Sequence, residues 1–222
     1  MQITVIGSHA WSLPPERATV HITVDVEGEE RAATSREATA IVDALGRDLH
    51  RLRQGSDAPL TWYTVGPLAT RSWRPWGPDG QPMATRFGAS AILTAKFRDF
   101  AALSEVTGGW AEREGVQITR VAWTLTDATR TATEAAALTR AVEEARSRAL
   151  AIAQAAGWSE VDVLEVADPG LLAGHGGGTP QPAQAGGNLR MMAAKEDSSG
   201  GALAPEDVHG EAVVHARFEA RR

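Results

Sequence analysis

A His175-Gly176-Gly177-Gly178 run is the first feature of this sequence that could carry chemistry. Lipases and esterases use an HGGG run to build an oxyanion hole, and their nucleophile follows it in a G-x-S-x-G turn. The nearest matches here, GASAI from Gly88 and GWSEV from Gly157, precede the run and lack the second glycine. We therefore interpret the run as part of a flexible loop, and a hydrolase that uses His175 is the disfavoured alternative.

Three polar side chains near the end of the chain could contribute to a metal site. His209, Glu211 and His215 share one parity on a predicted strand, so they point to the same side. Such residues can ligate a metal ion, but at ~3.3 Å of rise per residue the trio is too spread out to bind one ion alone. His21 or Asp25 from a neighbouring strand would have to complete the site. We interpret this face as solvated, with a small-molecule or metal-binding module as the alternative.

Tryptophan and arginine crowd the stretch RSWRPWGPDGQP, whose proline and glycine content predicts a hairpin loop. Arg71, Trp73, Arg74 and Trp76 are of the two residue types most typical of binding hot spots. They are candidate contacts with a protein partner or a second copy of the chain. For the rings themselves, the interpretation favoured from the sequence is that they fold back onto the edge of a core. Stacking of nucleic-acid bases is disfavoured because the net charge is −6.

The composition excludes several classes of site and places no cofactor. The 222 residues are 43% hydrophobic, which is enough to bury a sizeable core, and they include no cysteine. Disulfides, thiolate nucleophiles and cysteine-based zinc sites are therefore excluded. The preference for alanine and for arginine over lysine is typical of a GC-rich bacterial genome.

The N-terminus and the hydropathy pattern bear on location. The opening MQITVIGSHAW has neither a basic segment nor a long apolar segment of a secretory signal. No stretch of about 18 apolar residues occurs that could span a membrane. We expect a cytoplasmic protein, or a periplasmic or secreted one if the start of the chain is mis-assigned.

The elements that must position these residues alternate between strand and helix. Alternating apolar residues and short apolar runs predict strands at 2–6, 17–28, 60–71, 83–97, 116–125, 161–166 and 209–220. Helical spacing predicts helices at about 31–53, at 98–113 with Asp99 as the N-cap, and from about 127 to a stop at Gly157. The residues predicted to form the buried stripe of the last helix are Leu138, Val142, Ala145, Ala149, Ile152 and Ala156.

A change of composition separates the last two predicted strands. Residues 168–204 are rich in glycine, alanine, serine, proline and glutamine without an apolar period, which predicts a flexible loop. The expected fold is α+β, a single domain over 1–222. It has a mixed, mostly antiparallel sheet with three helices packed on one face.

Four stretches in this order resemble the SIMPL-domain family. They are PPERATVHITVDVEGE before an alanine-rich helix, TRFGASAILTAKFRDFAALSEV, ITRVAWTLTD followed by EAAALTRAVEEARSRALAIAQAAGW, and APEDVHGEAVVHARFE. The resemblance implies no established catalytic activity, no standard cofactor and self-assembly in some members, and its bacterial members are mostly secreted or periplasmic. We therefore expect a non-enzymatic protein without a cofactor that acts by protein–protein association or as a homo-oligomer, with no nucleic acid as partner.

Overall fold

The structure, a computed structural model, describes residues 1–172 and 204–222. Over these residues the strands are β1 (Gln2–Leu13), β2 (Arg17–Gly28), β3 (Leu60–Val65), β4 (Ala69–Trp73), β5 (Arg86–Phe97), β6 (Val116–Thr124), β7 (Glu160–Ala167) and β8 (Val208–Arg221). The helices are α1 (Arg31–Leu52), α2 (Phe100–Ala111) and α3 (Asp127–Ala155). The described strands pair in antiparallel fashion, which confirms the α+β fold. Except for residues 168–172 and 204, the loop predicted at 168–204 lies outside the described residues.

Two predicted strands differ most from the observed ones, because pairing partners far along the chain decide their extent. β1 continues to Leu13 because it pairs with β8 along its whole length. The strand predicted at 60–71 is two strands, β3 and β4, which both pair with β5. The break falls at Gly66 and Pro67, where the proline has no N–H to donate to a ladder.

The contacts divide the chain into two compact units, each with its own sheet and core. The first unit holds Met1–Pro14, the described part of Leu125–Ser198, and Asp207–Arg222. The second unit holds Pro15–Thr124 and the described part of Ser199–Glu206. The description of residues 1–222 as one domain stays a prediction.

The first unit is a three-stranded sheet, in the order β1-β8-β7, with α3 packed on one face. The predicted alternation of β8 is confirmed: Ala212, Val214, Ala216 and Phe218 are buried against the helix side. Gly157 adopts a φ of 84° directly after the C-cap of α3, which confirms the predicted stop.

The buried stripe predicted for α3 is wrong in part. Its buried residues are Ala137, Ala141, Ala145, Ala149 and Ala153, at a constant spacing of four. Leu138 and Ile152 are 45% and 43% exposed, and Ala156 is exposed at the C-cap. With 3.6 residues per turn, each step of four rotates the contact by about 40°. The buried residues therefore follow a line that winds slowly around the helix. Leu138 and Ile152, which were predicted from the average helical spacing of 3.6 residues, lie beside this line and are partly exposed.

Gly7 of β1 lets α3 approach the sheet closely. A Cβ atom at Gly7 would lie 2.1 Å from the carbonyl oxygen of Ala141 and 2.7 Å from the Cβ of Ala145. Two methyl-sized side chains on the helix and none on the strand therefore set the distance between these elements.

The second unit is a sheet in the order β3-β5-β2-β6, with β4 also paired to β5. Helices α1 and α2 cover one face, and the core between them includes Ile22, Leu45, Leu93 and Phe97, which are fully buried. Asp99 caps α2 as predicted, because its Oδ1 accepts hydrogen bonds from the backbone N–H groups of Ala101 and Ala102 at 2.9 and 3.0 Å.

Asp48 of α1 ties this helix to the end of α2. Its carboxylate accepts hydrogen bonds from Arg113 at 2.7 Å, from the indole N–H of Trp110 at 3.4 Å, and from Arg51. Burial raises the pKa of this carboxyl, but the hydrogen bonds from Arg113 and Arg51 lower it by more, so the pKa lies below its ordinary value.

The close approach at Gly7 generates a prediction for stability. Gly7→Ala should lower the free energy of unfolding by about 2–3 kcal/mol, because the backbone of α3 must move to admit the methyl group. Gly46→Ala in α1 is the matched control, since a Cβ there meets nothing within 4 Å. It should raise the free energy of unfolding by about 0.5–1 kcal/mol through helix propensity. Urea unfolding followed by circular dichroism measures both, and a neutral Gly7→Ala would contradict the close approach.

Asp48 generates a prediction for pH dependence. A pKa lowered by folding stabilises the protein above the unfolded value of about 3.9, and this stabilisation is lost as the pH falls through the folded value. Asp48→Asn should therefore cost about 1–2 kcal/mol at neutral pH and remove part of the acid sensitivity. Urea unfolding between neutral and acid pH measures this. Asp43→Asn is the control because Asp43 has no ion pair in the described part of the chain. If the free energy of unfolding falls equally with pH in Asp48→Asn and in the wild type, Asp48 is not a source of the acid sensitivity.

Candidate functional site

The four predicted contact residues lie together where β4 leads into β5. Arg71 and Trp73 belong to β4, and Arg74 and Trp76 lie in the connection that follows. Trp76 forms an isolated antiparallel bridge with Pro82, so the connection folds back on itself as a hairpin. We call Arg71, Trp73, Arg74 and Trp76 the hairpin surface.

Arg71 reaches across β5 to the central strand of the sheet. Its guanidinium donates to Asp25 at 2.9 and 3.1 Å and to Glu27 at 2.7 Å, both on β2. Arg71 and Glu27 both pair with Gly88 of β5 in the sheet register. A Cβ at Gly88 would lie 2.8 Å from Nε of Arg71. Because Gly88 has no side chain, the side chain of Arg71 can cross β5 at this position.

The same arginine orients an aromatic ring. Its guanidinium carbon lies 5.2 Å from the centroid of Trp73, within the range of a cation–π interaction. The hydrogen bonds that Arg71 donates to Asp25, and then to Glu27, hold the pKa of Arg71 above its ordinary value. The charge is therefore permanent, and the ring of Trp73 rests against a fixed ion pair.

Trp76 is the most exposed large apolar side chain of the hairpin. It is 73% exposed, and Met83 in the same connection is 52% exposed. The interpretation that the rings fold back onto a core is therefore wrong for Trp76, whereas Trp73 is half-buried. Arg74 donates to the hydroxyl of Thr85 at 3.0 Å, which links the two sides of the connection.

Two exposed apolar residues on the same sheet were not singled out from the sequence. Ile92 of β5 and Trp62 of β3 are 58% and 45% exposed. Ile92 pairs with Thr23, and Trp62 pairs with Lys96, so both belong to the face opposite the helices. Ile92 and Gly88 are four residues apart on β5, so they lie on the same face of the strand. This alternation is the sequence signal that could have identified Ile92.

The polar face of β8 does not gain the ligands that a metal site needs. Its neighbours are β1 and β7, and His215 lies opposite Ile6 and Ala167. The metal-binding alternative required His21 or Asp25 on a neighbouring strand, and this condition is not met, because β2 pairs with β5 and β6. Within residues 1–172 and 204–222, no group of three or more His, Cys, Asp or Glu residues could hold a metal ion.

The residues considered for hydrolase chemistry give no assembled site. The His175–Gly178 run lies outside the described residues. Ser90, in the GASAI stretch, lies within β5 and pairs with Asp25 and Ala69, as expected for a residue in mid-strand. A nucleophile of this class instead needs a sharp turn between strand and helix.

The Arg71 network generates a prediction for salt dependence. Arg71→Gln should lower the melting temperature, because Asp25 and Glu27 then lie side by side on one face of β2 without their cation. The loss should shrink by about half between about 0.02 M and about 0.5 M NaCl, since salt screens the repulsion. Arg74→Gln is the matched control because Arg74 bonds a hydroxyl rather than a carboxylate. Scanning calorimetry measures the melting temperatures of both variants. If the decrease for Arg71→Gln is the same at low and high salt, the ion-pair network is contradicted.

Comparison with known proteins identifies one family. The SIMPL family model, described as a protein of unknown function (DUF541), matches residues 3–218, which confirms the resemblance found in the sequence. The search of curated proteins finds no match. In the described part of the chain, the helices are too short or too polar to cross a membrane. The chain belongs to the SIMPL family, whose function is unknown.

Proposed function

We propose that this protein acts without catalysis, by binding a second copy of itself or another protein through the hairpin surface, and that it works as a homo-oligomer. The observation that carries the proposal is the exposure of Trp76, which is 73%, on a hairpin whose backbone is internally hydrogen-bonded. Tryptophan and arginine at such positions are the residues that contribute most to protein interfaces.

The hairpin is preorganised, which favours binding. Gly77 donates to the carbonyl of Gln81, and Met83 donates to the carbonyl of Pro75, each at 2.8 Å. Because the backbone that carries Trp76 is already held in place, binding of a partner does not have to order it. Burial of Trp76 and Met83 would therefore contribute most of their apolar area to the affinity.

The charges at the hairpin surface also favour a protein partner. Asp25 and Glu27 already engage Arg71, so a partner does not have to supply a carboxylate for it. Arg74 contacts only a hydroxyl group among the described side chains, and can pair with a carboxylate across an interface. The hairpin surface therefore fits a partner that presents a hydrogen-bond acceptor for Arg74 beside an apolar pocket for Trp76.

The side chains of the hairpin surface explain why we propose binding rather than catalysis. An indole ring is a donor only, and an arginine does not deprotonate in proteins, so neither serves as a general base or nucleophile at neutral pH. The cytoplasmic location expected from the N-terminus stays a prediction.

Removal of the exposed ring tests the proposal. Trp76→Ala should raise the dissociation constant of self-association by about tenfold or more, as expected for a hot-spot residue. Light scattering over a range of protein concentrations measures it. Trp62→Ala is the control, because Trp62 is 45% exposed but lies on β3, outside the hairpin surface. A monomeric wild type would refute self-association. If Trp76→Ala captures the same partner protein from the native host as the wild type does, the hairpin surface is not the binding site.

A further inference from the structure

Helix α1 and strand β3 of the second unit enclose a groove of about 710 Å³. Tyr63 and Val65 of β3 form its floor, and Gly46, Arg47 and His50 of α1 form its wall. Tyr63 and Val65 pair with the buried residues Ala95 and Leu93, so all four point to the side of the sheet that α1 covers. The groove is thus bounded by a helix on one side and a strand below.

β3 is an edge strand, and its backbone is the first reason to expect a ligand here. Among the described strands it pairs only with β5, so one of its edges has no partner. Such an edge presents a row of backbone donors and acceptors, to which an extended peptide can add as a further strand. An added strand would lie beside β3, and alternate side chains would point towards α1.

Gly46 is the second reason. It lies inside α1, where glycine costs about 1 kcal/mol relative to alanine. A Cβ at this position meets nothing within 4 Å. The described fold therefore does not require a glycine here. Because Gly46 lines the groove, its missing side chain leaves the space between α1 and β3 open.

Charge is the third reason, and it indicates the chemistry of the ligand. Arg47 and Arg51 line the groove, and Arg53 lies 6.0 Å from the ring of Tyr63, on a chain whose net charge is −6. Among the lining residues, Asp43 is the only carboxylate. Arg51 also complements the C-terminal end of α1 and bonds Asp48. Arg47 has no ion pair in the described part of the chain, so its charge is available to a ligand.

We propose that this groove binds an acidic peptide in extended conformation, which adds as a strand to the free edge of β3. The carboxylates on one face of the peptide meet Arg47 and Arg51, and the aliphatic parts of these acidic side chains pack on Tyr63 and Val65. Apolar side chains on the other face lie beside Trp62, which is 45% exposed on the opposite side of the sheet. The hairpin surface takes no part, so this proposal stands or fails independently of the proposed function.

Fluorescence anisotropy with a labelled peptide of about eight residues, alternating glutamate and valine, tests the proposal on the full chain. We expect saturable binding by this peptide and no comparable binding by the lysine–valine analogue. A glutamate–valine peptide with alternate N-methylated amides should bind at least about tenfold more weakly, because it cannot complete the ladder of backbone hydrogen bonds. Equal binding of the N-methylated peptide would overturn strand addition.

Two pairs of variants locate the binding. Arg47→Glu and Gly46→Leu should each weaken binding by about tenfold or more, through charge and through filling of the groove. Arg36→Glu makes the same charge change at an exposed position of α1 outside the groove. Gly108→Leu fills an equally open glycine position in α2. Both controls should bind like the wild type, and circular dichroism checks that all four variants fold.

Three outcomes would overturn the proposal. The first is that no saturable binding is found up to about millimolar peptide, the weak limit of specific recognition. The second is that the controls weaken binding as much as the groove variants do. The third is that a single-stranded oligonucleotide displaces the peptide and binds more tightly than it, since the groove would then recognise phosphates.

Discussion

The burial of one sheet face under helices is the constraint on which the rest of this structure depends. In β2 and β8, every second residue is apolar and faces the helices of its own unit. The residues in between are free to be polar, charged or aromatic, because no helix of the same unit covers them. Asp25 and Arg71 lie on this other face of the second unit, and the hairpin surface is built from it.

Local patterns predicted the elements well where one interaction dominates. β2 begins and ends at the predicted residues 17 and 28, because its alternation is unbroken. Asp99 and Gly157 mark a helix start and a helix end through chemistry that needs only neighbouring residues. The buried stripe of α3 failed because alanine occupies both the buried and the exposed positions of that helix, so hydrophobicity alone does not fix which face is packed.

Long-range pairing could not be predicted in the same way. The division of the strands into two sheets depends on the register between β1 and β8 and between β2 and β5. That register gives β8 the partners β1 and β7, so strand pairing does not supply the further ligand that the metal-binding alternative for β8 requires from β2. The composition of the hairpin indicated a contact surface, but the carboxylates that fix Arg71 lie 44 and 46 residues earlier in the chain. The groove beside β3 likewise arises only when α1 is placed on the sheet.

The pairing of β1 with β8 has a consequence for the order of folding during synthesis. Gln2 lies opposite Glu219, so β1 leaves the ribosome well before the strand with which it pairs. Residues 15–124 contain all the strands of the second sheet, which can form while translation continues. Contacts of such large sequence separation form slowly. The nascent β1 therefore remains without its partner strand until β8 has been synthesised, and a chaperone that shields β1 would act before that point.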